Sequence, residues 1–282
     1  MRRKLFRIVW RSVNVALVAS LLALVYSAGW EHSVRDYLNG FGDAIVPSNA
    51  APERRVDAIL QWMRTGPPRS AEPIPIGLTV RDPETTLNYQ QLLAVCGTAT
   101  NAFLNLARTS DLQVRRLLLL SPDRNTKHVV AEVLLEGRWI VVDPTYRMVM
   151  RNAKGEMLTR KELQNPKTFA EAIAKVPGYP PTYNYDRFAH VRIARLPLDG
   201  LHLRPMLDSV FPGWDEKVDW SLLLERESFF SFATALVAAL FLLLLRLFLA
   251  WYADHRLKMP RFHLRTHLAR AGAAFFTTPE IK

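Results

Sequence analysis

Cysteine is almost absent: Cys96 is the single one in 282 residues. One thiol excludes an internal disulfide framework and a zinc site built on several thiolates. Metal-ligand spacing is lacking too. Of the seven histidines, His263 and His267 stand four apart, but in a basic stretch with no acidic partner, so no metal site is expected. Internal repeats and low-complexity tracts are also missing. Acidic charge is in deficit overall, with a formal net charge of +11. The imbalance is local. Residues 31–227 hold 25 Lys and Arg against 24 Asp and Glu, so ten of the eleven net charges lie in the flanks. Those charges border apolar segments, not a groove of a soluble domain, and no nucleic-acid partner is expected.

The flanks set the topology. Residues 13–30 are predominantly apolar and follow Arg2, Arg3, Lys4, Arg7 and Arg11. Residues 229–252 are apolar apart from Ser, Thr and Arg246, and end in the interfacial pair Trp251-Tyr252. Each is long enough to span about 30 Å of hydrocarbon. Arg246, near one end, is expected to snorkel toward Arg256, Lys258, Arg261 and Arg265. The positive-inside rule then puts both termini in the cytoplasm and the intervening domain outside, the periplasm in a two-membrane bacterium. The expected organisation is a basic N-terminus and anchor (1–30), an extracytoplasmic domain (31–227), a second membrane helix (228–252) and a basic cytoplasmic tail (253–282). Residues 1–30 read alternatively as a cleaved signal peptide, with Ser27-Ala28-Gly29 suiting a signal peptidase. Outside the cytoplasm paired cysteines would be oxidised, so a lone thiol is left over for chemistry or for oxidation.

The chain around that thiol predicts a geometry. In and just before residues 101–108, apolar side chains recur at helical spacing (Ala99, Ala102, Phe103, Leu106, Ala107), and Cys96-Gly97 precede or open that helix. Thr98 and Thr100 are candidate caps. A thiol there meets the positive end of the helix dipole, which favours thiolate, and amides able to hold an oxyanion. Gln90 or Gln91 is a weaker candidate donor. Leu117 to Leu120 reads as a buried strand, and residues 121–125 as a turn.

Residues 128–135 and 138–143 read as two strands joined by Glu136-Gly137. A two-residue loop makes paired positions sum to 273, so Val130 opposes Asp143 and His128 is its diagonal neighbour on the same face. A shift of one residue would put the two on opposite faces. The face with Val129, Ala131, Val133, Leu135, Ile140 and Val142 is expected to be the core face. A thiol, an imidazole and a carboxylate are the parts of a cysteine acyl-transfer site. The bland alternative makes His128 a strand-end surface residue and Asp143 a turn residue before Pro144.

Several segments share a pattern: Cys96-Gly97 opening a helix, Leu106-Ala107-Arg108 with Asp111 to Arg115 after it, His128 with Glu132-Val133, Gly137-Arg138-Trp139, and Asp143-Pro144-Thr145. His128 follows Cys96 by 32 residues and Asp143 follows by 15 more. The stretch resembles the catalytic core of the transglutaminase-like superfamily, relatives of the papain-like thiol enzymes. Val130 departs from it, since many members have Trp two residues after the histidine. The resemblance implies an α+β papain-like fold, with the Cys-bearing helix packed on an antiparallel sheet. It also implies Cys96 as nucleophile, His128 as base and Asp143 as orienting acid, with no cofactor. The expected activity is acyl transfer or amide hydrolysis on a protein or peptide outside the cytoplasm. A non-catalytic scaffold in an envelope or surface-polymer complex is the other reading.

Elsewhere, Val56, Ile59, Leu60 and Met63 mark an amphipathic helix ended by Gly66-Pro67-Pro68. Asp82-Pro83-Glu84 is a turn. Thr159 and Glu162 form a capping box, Asn165 caps a helix to about Lys175, and residues 189–196 read as a strand.

Overall fold

In the computed structural model, the strands pair as their sequence dictates. The structure describes residues 2–65, 95–191, 203–217, 219, 223 and 226–258. The helices are α1 (Arg2–Ile45), α2 (Pro52–Thr65), α3 (Cys96–Thr109), α4 (Arg160–Leu163), α5 (Pro166–Ile173), α6 (Leu203–Val210), α7 (Trp214–Lys217) and α8 (Glu227–His255). The strands are β1 (Val114–Leu120), β2 (Thr126–Leu135), β3 (Arg138–Asp143), β4 (Met148–Val149) and β5 (Phe188–Ala189). They form one sheet in the order β4-β3-β2-β1-β5, antiparallel at every pairing. The fold is α+β, a thiol-bearing helix against an antiparallel sheet. Gln90, Gln91, residues 66–68, the 82–84 turn, His263 and His267 lie outside the described residues.

Leu135 pairs with Arg138 and Ala131 with Val142, the predicted register. The loop is tighter than a single glycine requires: Glu136 has φ 50° and Gly137 φ 76°. Two successive positive φ values match the right-handed twist of the flanking strands. Glutamate carries a Cβ in that left-handed position, which glycine and asparagine tolerate better.

Both faces of the sheet are buried, where the sequence marked one. Ala131, Val133, Leu135, Ile140 and Val142 pack with α2, α3 and Val34 and Leu38 of α1. On the other face Val130, Val141, Leu117 and Leu119 meet Leu158, Leu163, Phe169, Tyr179 and Tyr185. The chain after β4 supplies this second layer, so the face that carries His128 is an interior. It also buries Glu132, whose carboxylate is held by Arg115 at 2.7 Å, its partner directly across the β1–β2 ladder. Burial without that partner would cost several kcal/mol, about 3–5 by analogy with broken buried pairs.

α3 is buried from Thr98 to Ala107, not along one stripe. Its polar residues are tied down accordingly. Thr100 Oγ1 donates to the Val129 carbonyl (2.9 Å), and Asn101 Oδ1 accepts from Arg116 (3.1 Å). The capping box at Thr159 and the Asn165 cap are present, though the Asn165 helix ends at Ile173. β5 covers only Phe188 and Ala189, and residues 192–196 of the expected strand lie outside the described residues.

The chain divides into two units, Met1–Tyr26 with Thr234–Lys282, and Ser27–Ala233. In the first, α1 and α8 are long and apolar enough to cross a membrane. Arg246 donates through Nε to Asn14 Oδ1 (2.8 Å), and its guanidinium lies 5.5 Å from the Trp10 ring. A side-chain acceptor on the neighbouring helix therefore takes the charge that the sequence assigned to snorkelling. In the second unit α1 continues to Ile45, fifteen residues beyond the predicted anchor end, because Val34 and Leu38 insert into the core. There Glu31, buried, accepts from Arg35 (2.7 Å), Arg226 (2.8 Å) and Ser228 (2.7 Å).

Replacing Glu136 tests the turn. Glu136→Asn is expected to stabilise the protein by about 0.5–1 kcal/mol, because asparagine visits positive φ at lower cost. Thermal unfolding measures this; an unchanged or lower midpoint would contradict the type of turn assigned.

Candidate active site

The thiol comes first, set by the start of α3. Cys96 is the first helical residue and Val95 the N-cap, with extended backbone and no side-chain cap. Thr98 and Thr100 do not cap as expected: their hydroxyls donate to the carbonyls of Val95 (2.9 Å) and Val129 (2.9 Å). The unneutralised positive end of the helix dipole therefore falls on a half-buried thiol. Cys96 packs against Leu118, Leu120, Val129 and Ala189.

His128 enters from β2. A bulge between Leu119 and Leu120 skips Lys127, so His128 opens the regular ladder opposite Leu119. Bulges bend the strand and re-aim nearby side chains, and nothing in the sequence marked this one. His128 Nε2 lies 2.8 Å from Asp143 Oδ2, with both residues fully buried. That leaves Nδ1 for Cys96, whose thiol hydrogen-bonds the imidazole. Burial by itself pushes the imidazole pKa down. Hydrogen bonds to Asp143 and Cys96, with their charges, outweigh it and raise the value to about 9. At neutral pH the raised value favours imidazolium.

Asp143 is held by four donors. Oδ1 accepts from the backbone amides of Thr145 (3.0 Å) and Tyr146 (3.3 Å), and Oδ2 from His128 and the Tyr179 hydroxyl (2.9 Å). The two amides are the turn chemistry of Asp143-Pro144-Thr145, legible in the sequence. Tyr179 lies 36 residues on, and no local pattern announced it. Burial pushes its hydroxyl pKa far up, so it stays a donor. Tyr183 completes the surroundings, its ring stacked on the imidazole at 4.3 Å and 7°. Among the described residues no group of three or more His, Cys, Asp or Glu is placed to hold a metal ion.

A buried imidazole between a thiol on a helix N-terminus and a four-donor carboxylate, on an antiparallel sheet, defines the papain-like class of α+β domain. Residues 40–144 match the family model of the transglutaminase-like superfamily, so the chain carries a transglutaminase-like domain. The matched span includes Cys96, His128 and Asp143 and stops before Tyr179 and Tyr183. No curated protein and no solved structure matches the chain.

The His128 environment makes stability depend on pH. A folded pKa of about 9, above the ordinary value of 6.5, contributes stability fully present below pH 6.5 and lost as pH rises through 9. Its size is on the order of 3 kcal/mol. The melting-temperature advantage of wild type over His128→Gln should therefore shrink steadily from pH 6.5 to 9. An advantage that stays constant or grows over that interval would refute the assigned protonation.

Proposed function

We propose that this protein is a membrane-anchored thiol acyltransferase or amidohydrolase acting through a thioester on Cys96. The observation that supports the reading best is the paired imidazole: one ring nitrogen on a buried carboxylate, the other facing the thiol. The thiolate attacks the carbonyl carbon of a peptide or carboxamide. His128 gives its proton to the departing nitrogen as the C–N bond breaks, leaving the acyl group on sulfur. Water or an amine then attacks the thioester, His128 takes up its proton, and the thiolate leaves. Asp143 keeps the imidazole in one orientation and stabilises its protonated form. In this scheme amides at the start of α3 supply the donors to the developing oxyanion.

The two apolar helices support anchoring in a cell membrane. The basic residues beside them support cytoplasmic termini and an extracytoplasmic, in a two-membrane bacterium periplasmic, catalytic domain. Its substrate is then a protein or peptide outside the cytoplasm.

Alkylation of Cys96 at pH 6 tests the chemistry. His128→Ala is expected to slow it about 100-fold, because an unpaired thiol with a pKa of about 8.5 is only about 0.3% ionised there. Asp143→Asn should slow turnover while the protein still folds, since the amide cannot stabilise imidazolium. Equal alkylation in wild type and His128→Ala would end the triad reading; a collapsed melting temperature with unchanged activity per folded Asp143→Asn molecule would make Asp143 structural. Topology is tested separately: a reporter active only in the cytoplasm should work when fused after Lys282, and activity of a periplasm-dependent reporter at that position would overturn the assignment.

A further inference from the structure

We propose that Tyr183 is a positioning residue for His128, its ring holding the imidazole between Cys96 and Asp143 and favouring the protonated form. The proposal rests on the acyl-transfer reading of those three residues. It concerns a segment outside the 40–144 family match.

The geometry sets Tyr183 apart from its neighbours. Tyr146 and Tyr179 meet the imidazole edge-on, at 6.1 Å and 66° and at 6.4 Å and 86°. Tyr183 lies flat on it, 4.3 Å away at an interplanar angle of 7°. A flat ring resists rotation of the imidazole about its bond to Cβ, and that rotation would break the bonds to Asp143 and Cys96 together. The face of an aromatic ring is the negative pole of its quadrupole, so it attracts imidazolium more than imidazole.

The loop is built to hold this ring. Tyr179 and Tyr185 are buried in the second core layer. Between them the Tyr183 amide donates to the Pro180 carbonyl (3.1 Å), closing a turn with Pro181 at its second position. Gln164 Nε2 fixes the Tyr185 carbonyl (3.3 Å). One short segment thus delivers a hydroxyl to Asp143 and a ring face to His128. Among the described residues, the groups facing His128 are Cys96 from α3, Asp143 from the end of β3, Tyr146 just after it, and Tyr179 and Tyr183 from this loop. The two acidic groups set most of the imidazole's proton affinity, and the Tyr183 ring adds to it without a charge of its own.

The contact needs the ring and not the hydroxyl, which gives a clean test. The rate of Cys96 alkylation by iodoacetamide is measured from pH 5 to 10 on the full-length protein in detergent, with melting temperatures for each variant. Tyr183→Leu and Tyr183→Met are expected to move the pH at which alkylation becomes fast upward by about one unit. Tyr183→Phe should restore the wild-type profile. Folded leucine or methionine variants that overlay wild type would overturn the proposal, as would a phenylalanine variant that shifts as far as leucine. Two non-aromatic variants at a half-buried site keep the test usable if one misfolds. If wild-type alkylation itself proves independent of His128, the triad reading fails and the proposal with it. A wild-type profile that depends on His128 but ignores Tyr183 removes this proposal alone.

Discussion

The register of the β2–β3 hairpin is the constraint on which the site depends. A β-ladder has a period of two, so a slip of one residue would send His128 and Asp143 to opposite faces and leave the thiol without a paired imidazole. The register is held from both ends. At one, Glu136 and Gly137 take positive φ and permit only two loop residues. At the other, Asp143 is fixed by the amides of Thr145 and Tyr146 as well as by His128. Between them both faces are packed, so a slip would carry Val133 and Val142 out of one layer and leave mismatched side chains in both. The 2.8 Å bond across the diagonal follows from ordinary strand chemistry.

What could be read in advance divides along the range of the signal. The Leu135–Arg138 pairing, the Cys96 helix, the four buried residues of α2 and the Thr159 capping box are set by neighbours within a few residues, and the sequence states them. The second layer over the His128 face is not local. Leu158, Phe169 and Tyr179 come from segments whose spacing marks short helices and turns but says nothing of where they dock. Alternation alone therefore marked one core face and left Glu132 on the other. Its burial becomes tolerable through Arg115, which a strand pairing 17 residues apart brings to it. The same holds for α3: helical spacing identified its apolar stripe, while burial of Asn101 and Thr100 depends on acceptors and donors in β1 and β2.

The candidate site shows this division at atomic scale. Cys96, His128 and Asp143 carry their chemistry in their residue types and spacing, which is why a family pattern can contain them. The bulge that skips Lys127 has no residue signature, since a lysine suits either a ladder or a bulge. Tyr179 and Tyr183 are invisible for another reason. A tyrosine in a proline-rich loop is ordinary, and only the folded chain shows one hydroxyl on Asp143 and one ring flat on His128.

Burial couples these features. A solvated His128 would keep its usual pKa and lend the thiol little, while a buried one without Asp143 would lose its proton to desolvation. Only with the carboxylate and the thiol both within hydrogen-bonding reach does the low-dielectric setting favour charge separation. The second core layer therefore acts on the imidazole: by covering the His128 face it strengthens the Asp143 contact, and by supplying Tyr179 it adds a donor to that carboxylate in water's place. The segment that closes the core on this side is the segment that completes the surroundings of the imidazole, so core packing and the imidazole's environment depend on the same side chains.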